Sequence, residues 1–516
     1  MRRAGGAVGH SIQSHPRWWL GAFTLAYLAV TLVNSQRPLW YDELLTESMS
    51  HLPNLPTIWA ALKEGADLNP PLLYLATKFC YFLFGNSETA TRLPAICGFL
   101  AMCWSIYAFV ARRCPRSYAF AAMLLPVMTS GFRYSVEARS YGLEFGFLGI
   151  GLVAWQRATE PNRRWWHVAI LYVSLVAALL MHCYAVVALI PFFVAQAVRD
   201  WLSKSVDRWI WVSWLALSPV LLVYAPLLQA SRNFIVSNPI FAPTGLSVPV
   251  FYALLLKTTI WSIAVAWFFV ATKRVATERV ATERVATKRL KRDACPPIPV
   301  HEQICAAVFF TLPVFSFLLA VGVTGIFVPR YGMVSMIGLG IWFAFSMYKR
   351  CAGTIEKGGE IVVVFLAGIL IFGGASLVRG FSVSPGKTPD LMTVYADLPI
   401  VVSNGLMFLE GDRYERAEVA HRLRFLTDEP AALRYTGSNV FDRGYVLIEK
   451  WFPLRGKVES YAHFIGNNRE FVVYGTTDFP MDWLIRGLRD QGFRLQTLSA
   501  QPGRYGEDVL LLATAP

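Results

Sequence analysis

The chain is predicted to be a multi-pass α-helical membrane protein that ends in a small α/β domain. Three observations predict this. Of its 516 residues, 55% are hydrophobic and only 16% are charged, whereas soluble globular chains carry about 25% charged residues. Its apolar residues gather in runs near the length of about 20 residues that crosses a bilayer, and its mean hydropathy is +0.43. Its net charge of +14 is split into short Lys/Arg clusters between those runs, as the positive-inside rule produces, with no continuous basic surface for nucleic acid. This composition excludes a soluble enzyme, a disordered chain and a small disulfide scaffold. The eight cysteines, from Cys80 to Cys351, include no CxxC pair and none in the polar C-terminal part, so neither a disulfide framework nor a zinc site is indicated.

The first apolar run, 18–34, follows Arg2, Arg3 and Arg17 and precedes Arg37-Pro38-Leu39-Trp40, with no small-residue cleavage site. It reads as an uncleaved first span rather than a signal peptide. Further spans are expected near 92–111, 117–133, 140–156, 166–182, 184–198, 209–228, 250–270, 304–326, 331–348 and 360–378, about eleven in all. The run 71–85 is apolar but short and contains Lys78. Charge decides its place. If 71–85 does not cross, the loops on the N-terminal side hold 23 Lys and Arg and the opposite loops hold 7. If it crosses, every later loop inverts and the asymmetry is lost. The expected topology is therefore an integral protein of the cell (inner) membrane with a cytoplasmic N-terminus. Residues 35–91 form one long outer loop, in which 71–85 lies against or dips into the bilayer.

The inner loop 271–303 holds the tandem units VATKR, VATER, VATER and VATKR from Val270 to Arg289. A five-residue period advances about 140° net on a helix, so the valines form no stripe; the segment reads as a solvated basic loop, or one touching anionic lipid heads. After Arg379 no further span occurs, and parity places residues 385–516 outside as a second domain after the membrane part, 1–380. Runs at 399–403, 446–449, 471–474 and 509–513 read as strands and 482–491 as an amphipathic helix, which makes an α/β domain. It has no Gly-rich phosphate loop and no clustered metal ligands.

The chemistry-bearing residues collect at the outer ends of the spans. Trp40-Tyr41-Asp42-Glu43 opens the first outer loop, and two adjacent acids beside a bilayer are costly unless they work or pair. Asn69-Pro70-Pro71-Leu72-Leu73-Tyr74 fixes the chain ahead of the interfacial helix. Arg92 starts the next span and reads equally as a phosphate ligand or a snorkelling anchor. Glu137-Ala138-Arg139-Ser140-Tyr141 forms the second outer loop, His182-Cys183-Tyr184 ends a later span, and Pro329-Arg330-Tyr331 makes a tight outer turn. Each has an ordinary reading as an interfacial anchor or surface pair. Their coincidence on one face, under a topology set by inner-loop charge, points to an outer cavity of carboxylates and arginines. Such a cavity suits transfer of a sugar from a lipid phosphate. The acceptor hydroxyl needs a carboxylate base, and the departing phosphate needs fixed positive charge.

This ordered set resembles glycosyltransferase family 39, the protein mannosyltransferase and aminoarabinose-transferase-like group of the GT-C fold, over roughly residues 18–380. The resemblance implies an inverting glycosyltransferase that uses a polyprenyl-phosphate-monosaccharide donor on the extracytoplasmic face. The family's catalytic acid carries over to Asp42, with Glu43 beside it, and its arginine-tyrosine element to Arg330 and Tyr331. His182 matches a His-aromatic step that Cys183 interrupts. The second outer loop, with Glu137 and Arg139, departs from members that carry an aspartate after this motif. The roles expected are Asp42 as general base, Glu43 orienting or sharing that role, and Arg330 with Arg92 or Arg139 on the phosphate. Trp40 or Tyr74 would stack on the sugar, and Glu137, His182 and Tyr331 would line its site. No metal or other cofactor is expected, and the partners are the lipid donor, membrane lipids and a protein, lipid or polysaccharide acceptor. Two rivals remain. A transporter or flippase of lipid-linked sugars would place polar residues mid-span and break helices in paired halves. A non-catalytic membrane subunit would make Asp42 dispensable and the C-terminal domain essential.

Overall fold

The computed structural model describes residues 2–235, 241–268, 297–373, 395 and 397–516. The VAT(K/E)R repeats, Cys295, Arg379 and the first residues of the 385–516 domain lie outside them. The membrane part opens with α1 (Arg2–Ser14) and α2 (Pro16–Asn34). The first outer loop folds as α3 (Tyr41–His51), α4 (Leu55–Glu64) and α5 (Leu72–Phe84). Then come α6 (Glu88–Ala111), α7 (Arg116–Met128), α8 (Ser140–Ala158), α9 (Trp165–Met181) and α10 (Ile190–Ser203), the last continuing a 3-10 turn over Cys183–Leu189. They are followed by α11 (Arg208–Leu215), α12 (Ser218–Leu222), α13 (Tyr224–Ile235), α14 (Ser247–Leu256) and α15 (Thr259–Phe268). The membrane part closes with α16 (Val300–Phe310), α17 (Leu312–Leu319), α18 (Ser335–Arg350) and α19 (Ile355–Gly368).

All eleven apolar runs expected to span are helical over most of their described length. By length and composition, two helical stretches among the described residues are sufficient to cross a membrane unaided, Glu88–Ala111 and Cys183–Ser203. Three bent pairs, broken near Val223, Lys257–Thr258 and Thr311, raise that number to five. Helix α5, at 13 residues, is about 20 Å long, too short for a hydrocarbon core of about 30 Å. One side of it shows Phe79, Phe82, Leu83 and Phe84 to the exterior. Lys78, which interrupts this run in the sequence, turns back and donates to the carbonyls of Leu52 at 2.5 Å and Pro53 at 3.1 Å, so its charge does not face the apolar side.

Helix α1 falls in a stretch read as a cytoplasmic tail. It lies flat on α19, and its glycines make this possible: a Cβ on Gly9 would stand 2.5 Å from the Ile355 carbonyl oxygen. Helices α6 and α8 meet through the same device. A Cβ on Gly98 would stand 2.3 Å from Leu143 Cα, and one on Gly146 would stand 2.6 Å from the Gly98 oxygen. Small residues four apart let membrane helices pack backbone to backbone. Gly98→Leu is therefore expected to force α6 from α8. Overpacking of a close-packed interior costs about 1–3 kcal/mol or more, so the measurement is a lower thermal midpoint in detergent than Gly21→Leu gives, where a Cβ would meet nothing within 4 Å.

The C-terminal part is a six-stranded mixed sheet in the order β3-β2-β1-β4-β6-β5. It is built from β1 (Ile400–Val402), α20 (Gly405–Tyr414), α21 (Ala417–Ala420), β2 (Leu423–Thr427), α22 (Glu429–Thr436) and α23 (Val440–Trp451). β3 (Lys457–Ser460), α24 (Tyr461–Asn467), β4 (Glu470–Thr476), α25 (Leu484–Asp490), β5 (Arg494–Pro502) and β6 (Glu507–Thr514) complete it. β1 pairs in parallel with β2 (Ile400 opposite Leu423) and with β4 (Ile400 opposite Val472), while β6 is antiparallel to β4 and β5. The expected strands at 399–403, 471–474 and 509–513 and the helix at 482–491 occur. The expected strand at 446–449 is instead the middle of α23. There Phe441, Tyr445, Ile448 and Phe452 are buried at helical spacing, a stripe hidden when the four apolar residues are read alone.

One hydrophobic core joins the two parts. It holds Leu39, Tyr41, Leu45, Met49, Leu62 and Tyr74 from the first outer loop together with Ile400, Phe408, Phe425, Tyr445 and Leu510 from the sheet domain. The sheet domain therefore stands on the same side of the membrane part as loop 35–91.

Candidate active site

Helix α3 brings Asp42 to the mouth of the membrane part. Trp40 precedes it in extended conformation, and its backbone N–H donates to Glu43 Oε2 at 3.2 Å. That local closure turns Glu43 inward and leaves Asp42 on the neighbouring face. Asp42 Oδ2 accepts from Arg330 Nη1 at 2.8 Å, although the two residues are 288 apart in sequence. Pro329 starts the short 3-10 turn that carries Arg330. Burial alone would raise the Asp42 carboxyl, but Arg330, Arg139 and Arg133 outweigh it and hold it below the ordinary carboxylate range. Arg330 Nε has no partner, so the guanidinium keeps a donor free.

Arg139 lies on the other flank. It grips Asp67 with both Nη atoms, at 2.8 and 3.1 Å, and reaches the Asp42 carbonyl oxygen at 3.0 Å. Its Nε is also unpartnered. Glu137 is 4% exposed, Oε1 has no partner, and Oε2 stands 3.7 Å from Arg133 Nε. Burial pushes its carboxyl up to about 7, assisted by Asp42 and Glu43 and opposed by Arg133 and Arg330. Below these charges lies an aromatic wall. Tyr331 stacks on Tyr184 with centroids 4.2 Å apart, His182 lies 5.3 Å from Tyr331 and 5.1 Å from Tyr141, and Arg330 sits 5.9 Å over Tyr141. His182 Nδ1 is 3.7 Å from Glu144.

The structure thus gathers Asp42, Glu137, Arg139, His182, Arg330 and Tyr331, and it gives different work to four other expected site residues. Arg92 and Glu43 are both fully buried and bound to each other by two hydrogen bonds, at 2.7 and 2.5 Å. Arg92 also donates to the carbonyls of Ser35, Arg37 and Pro38, and Glu43 also accepts from the Ala138 N–H at 2.8 Å. Their charges hold the extended entry to α3 against the second outer loop. Tyr74 is fully buried in the core shared with the sheet domain, so its ring offers no face to a sugar. Trp40 is half-buried beside that same core.

Sequence reasoning missed Asp67, Arg133 and Glu144, and it named Tyr184 only as part of the His182 motif. Asp67 had a signal, two residues ahead of Asn69, whose Nδ2 donates to it at 3.2 Å. Glu144 had none, because a lone acid within an apolar run gives no direction. Four acids at the other ends of these helices are tied to arginine: Glu302 to Arg113, Glu160 to Arg112, Asp207 to Arg163 and Asp200 to Arg199. Among the described residues no cluster of three His, Cys, Asp or Glu side chains forms a metal site.

Residues 68–228 match the family model described as dolichyl-phosphate-mannose-protein mannosyltransferase. Among solved structures, ArnT from Cupriavidus metallidurans in the apo state shares the fold. It has a TM-score of 0.51 and 11% identity, over 96% of this chain and 98% of that chain. ArnT from the same organism bound to undecaprenyl phosphate gives a TM-score of 0.49 at 12% identity, over 96% and 97%. No curated protein sequence matches the chain. The resemblance to glycosyltransferase family 39 read from the motifs is borne out. The likeness of fold to ArnT in the apo state covers 96% of the chain and so extends past residue 380.

Proposed function

We propose that this chain is an inverting glycosyltransferase of the extracytoplasmic face of the cell membrane. It moves a monosaccharide from a polyprenyl-phosphate-linked donor to an acceptor hydroxyl or amine. The observation that carries the reading is the 2.8 Å contact between Asp42 and Arg330, which sets a carboxylate base beside a phosphate-binding cation. The match of residues 68–228 to a family named for dolichyl-phosphate-mannose supports the donor class.

In this mechanism the donor phosphate takes over the Arg330 guanidinium, whose planar fork suits phosphate oxygens. Asp42 is thereby released from the cation that suppresses its basicity. The acceptor oxygen or nitrogen attacks the anomeric carbon and its proton passes to Asp42. The bond from that carbon to the phosphate oxygen breaks, and the electron pair leaves with the polyprenyl phosphate, held by Arg330 in the field of Arg139. A single displacement inverts the anomeric centre. Tyr331, backed by His182 and Tyr141, forms the wall against which the sugar rests. Glu43 and Arg92 fix the helix that carries the base. Residues 1–380 are the catalytic membrane domain and 385–516 an extracytoplasmic domain.

The test is release of polyprenyl phosphate from undecaprenyl-phosphate-linked mannose, glucose, galactose and aminoarabinose by purified protein. At least one donor is expected to be consumed. Consumption of none by well-folded protein contradicts the reading. Two further results follow from the site. Arg330→Lys keeps the charge but loses the fork, so the donor KM is expected to rise about tenfold or more. Burial holds the Glu137 carboxyl up at about 7. Below that pH it is neutral and the donor KM is flat. Above it a second carboxylate repels the donor phosphate and KM rises. In Glu137→Gln the rise disappears, and a rise that persists in this variant refutes the assignment.

A further inference from the structure

We infer that helix α20 (Gly405–Tyr414) of the sheet domain is a positioning element of the active site, with Glu410 and Tyr414 capping the entry to the helix that carries Asp42. This rests on the glycosyltransferase reading and deepens it.

The first backbone N–H groups of a helix have no partner within it and must find one outside. At α3 the Trp40 N–H is taken by Glu43 within the same turn. The donor before it is taken by the sheet domain. The Leu39 N–H donates to the Tyr414 hydroxyl at 2.7 Å, and the Glu410 carboxyl, raised by burial, is drawn back down in part by the Tyr41 backbone. A carboxylate there also complements the positive end of the helix dipole.

Glu410 is itself held from the far side by the β5–β6 turn. Tyr505 Oη donates to its Oε1 at 2.5 Å and Arg504 Nη1 at 3.2 Å. One turn further along, Arg413 reaches Glu47 of α3 at 3.1 Å. The Tyr41 ring packs edge-on against Phe441 and Tyr445 of α23, with centroids 5.6 and 6.2 Å away. Asp42 therefore rides on a helix gripped from two sides. Arg92 of the membrane part holds Glu43, and α20 holds the backbone ahead of Trp40 through Tyr414 and the α3 side chain Glu47 through Arg413. These contacts span more than 360 residues of sequence, so no local motif could have exposed them.

Misplacing a catalytic group by about 1 Å costs on the order of 100-fold in rate. For Glu410→Ala and for Tyr414→Phe in the full-length protein, kcat is expected to fall roughly 10- to 100-fold on the donor that wild type consumes, with donor KM moving less than about threefold. Glu410→Gln keeps an acceptor oxygen and is expected to restore most of kcat. Amide hydrogen exchange gives a readout independent of activity. The peptide spanning 38–46 is expected to exchange faster in Glu410→Ala, while peptides of α6 and of β4 keep their wild-type rates. Unchanged kcat, or unchanged exchange at 38–46, overturns the inference, as does equal loss of kcat in Glu410→Ala and Glu410→Gln. Asp42→Asn run alongside separates the two levels. If it is inactive while Glu410→Ala is unaffected, only the capping role fails. If it is fully active, the base reading fails, and with it any purpose in holding Asp42.

Discussion

Asp42→Asn is expected to lower kcat by about 10²–10⁴-fold, the usual contribution of a positioned general base, while donor binding persists. The substitution is close to isosteric, so Arg330 can still meet an amide oxygen where it now meets Oδ2 at 2.8 Å. What it removes is the ability to take a proton. The carboxyl lies below its ordinary range because Arg330, Arg139 and Arg133 overcome the effect of burial, so it is ionised throughout the working pH range. In the donor-free enzyme, where Arg330 still holds it, Asp42 therefore contributes no acid limb near neutrality to kcat/KM, and a step near pH 7 there belongs to Glu137. Turnover measured with and without acceptor checks both statements.

The second large effect falls on folding. Arg92→Ala leaves Glu43 fully buried without its counter-charge, and breaking such a pair from one side costs about 3–5 kcal/mol. It also leaves the carbonyls of Ser35, Arg37 and Pro38 without their donor. The expected outcome is a much lower yield of folded protein and a large drop in thermal midpoint. The double variant Glu43→Leu/Arg92→Leu is expected to regain part of the loss, since it buries no lone charge, but not all of it, because the three carbonyls remain unpaired. A midpoint for Arg92→Ala within error of wild type would show that the pair is dispensable.

The membrane part was legible because bilayer length and inner-loop charge leave strong, local marks. Each expected apolar run is helical over most of its described length, and the run 71–85 forms the 13-residue α5, whose Lys78 is turned back on loop carbonyls. The site was legible in part. Outward placement brought together Asp42, Glu137, Arg139, His182, Arg330 and Tyr331. It could not separate Arg92, buried with all its directions used, from Arg330, which keeps an unpartnered Nε. Both are arginines at the outer end of an apolar helix, and only the fold shows which one meets Glu43 and which meets Asp42.

The sheet domain was least legible. β2, β3 and β5 carry alternating or exposed residues with no apolar run, and α23 hid its stripe across twelve residues. Its role at α3 depends on Glu410 and Tyr414, which look like ordinary surface residues of an amphipathic helix. The N-terminal α1 was missed for another reason. It precedes the first apolar run and carries no apolar stretch of spanning length, and its glycines allow the contact with α19.

The most direct test is donor consumption by purified protein across the undecaprenyl-phosphate-monosaccharide panel, with wild type, Asp42→Asn and Arg330→Gln side by side. Wild type is expected to consume at least one donor, Asp42→Asn to bind that donor without consuming it, and Arg330→Gln to lose affinity for it. Consumption by Asp42→Asn at the wild-type rate would contradict the assignment of this pair as the reaction centre.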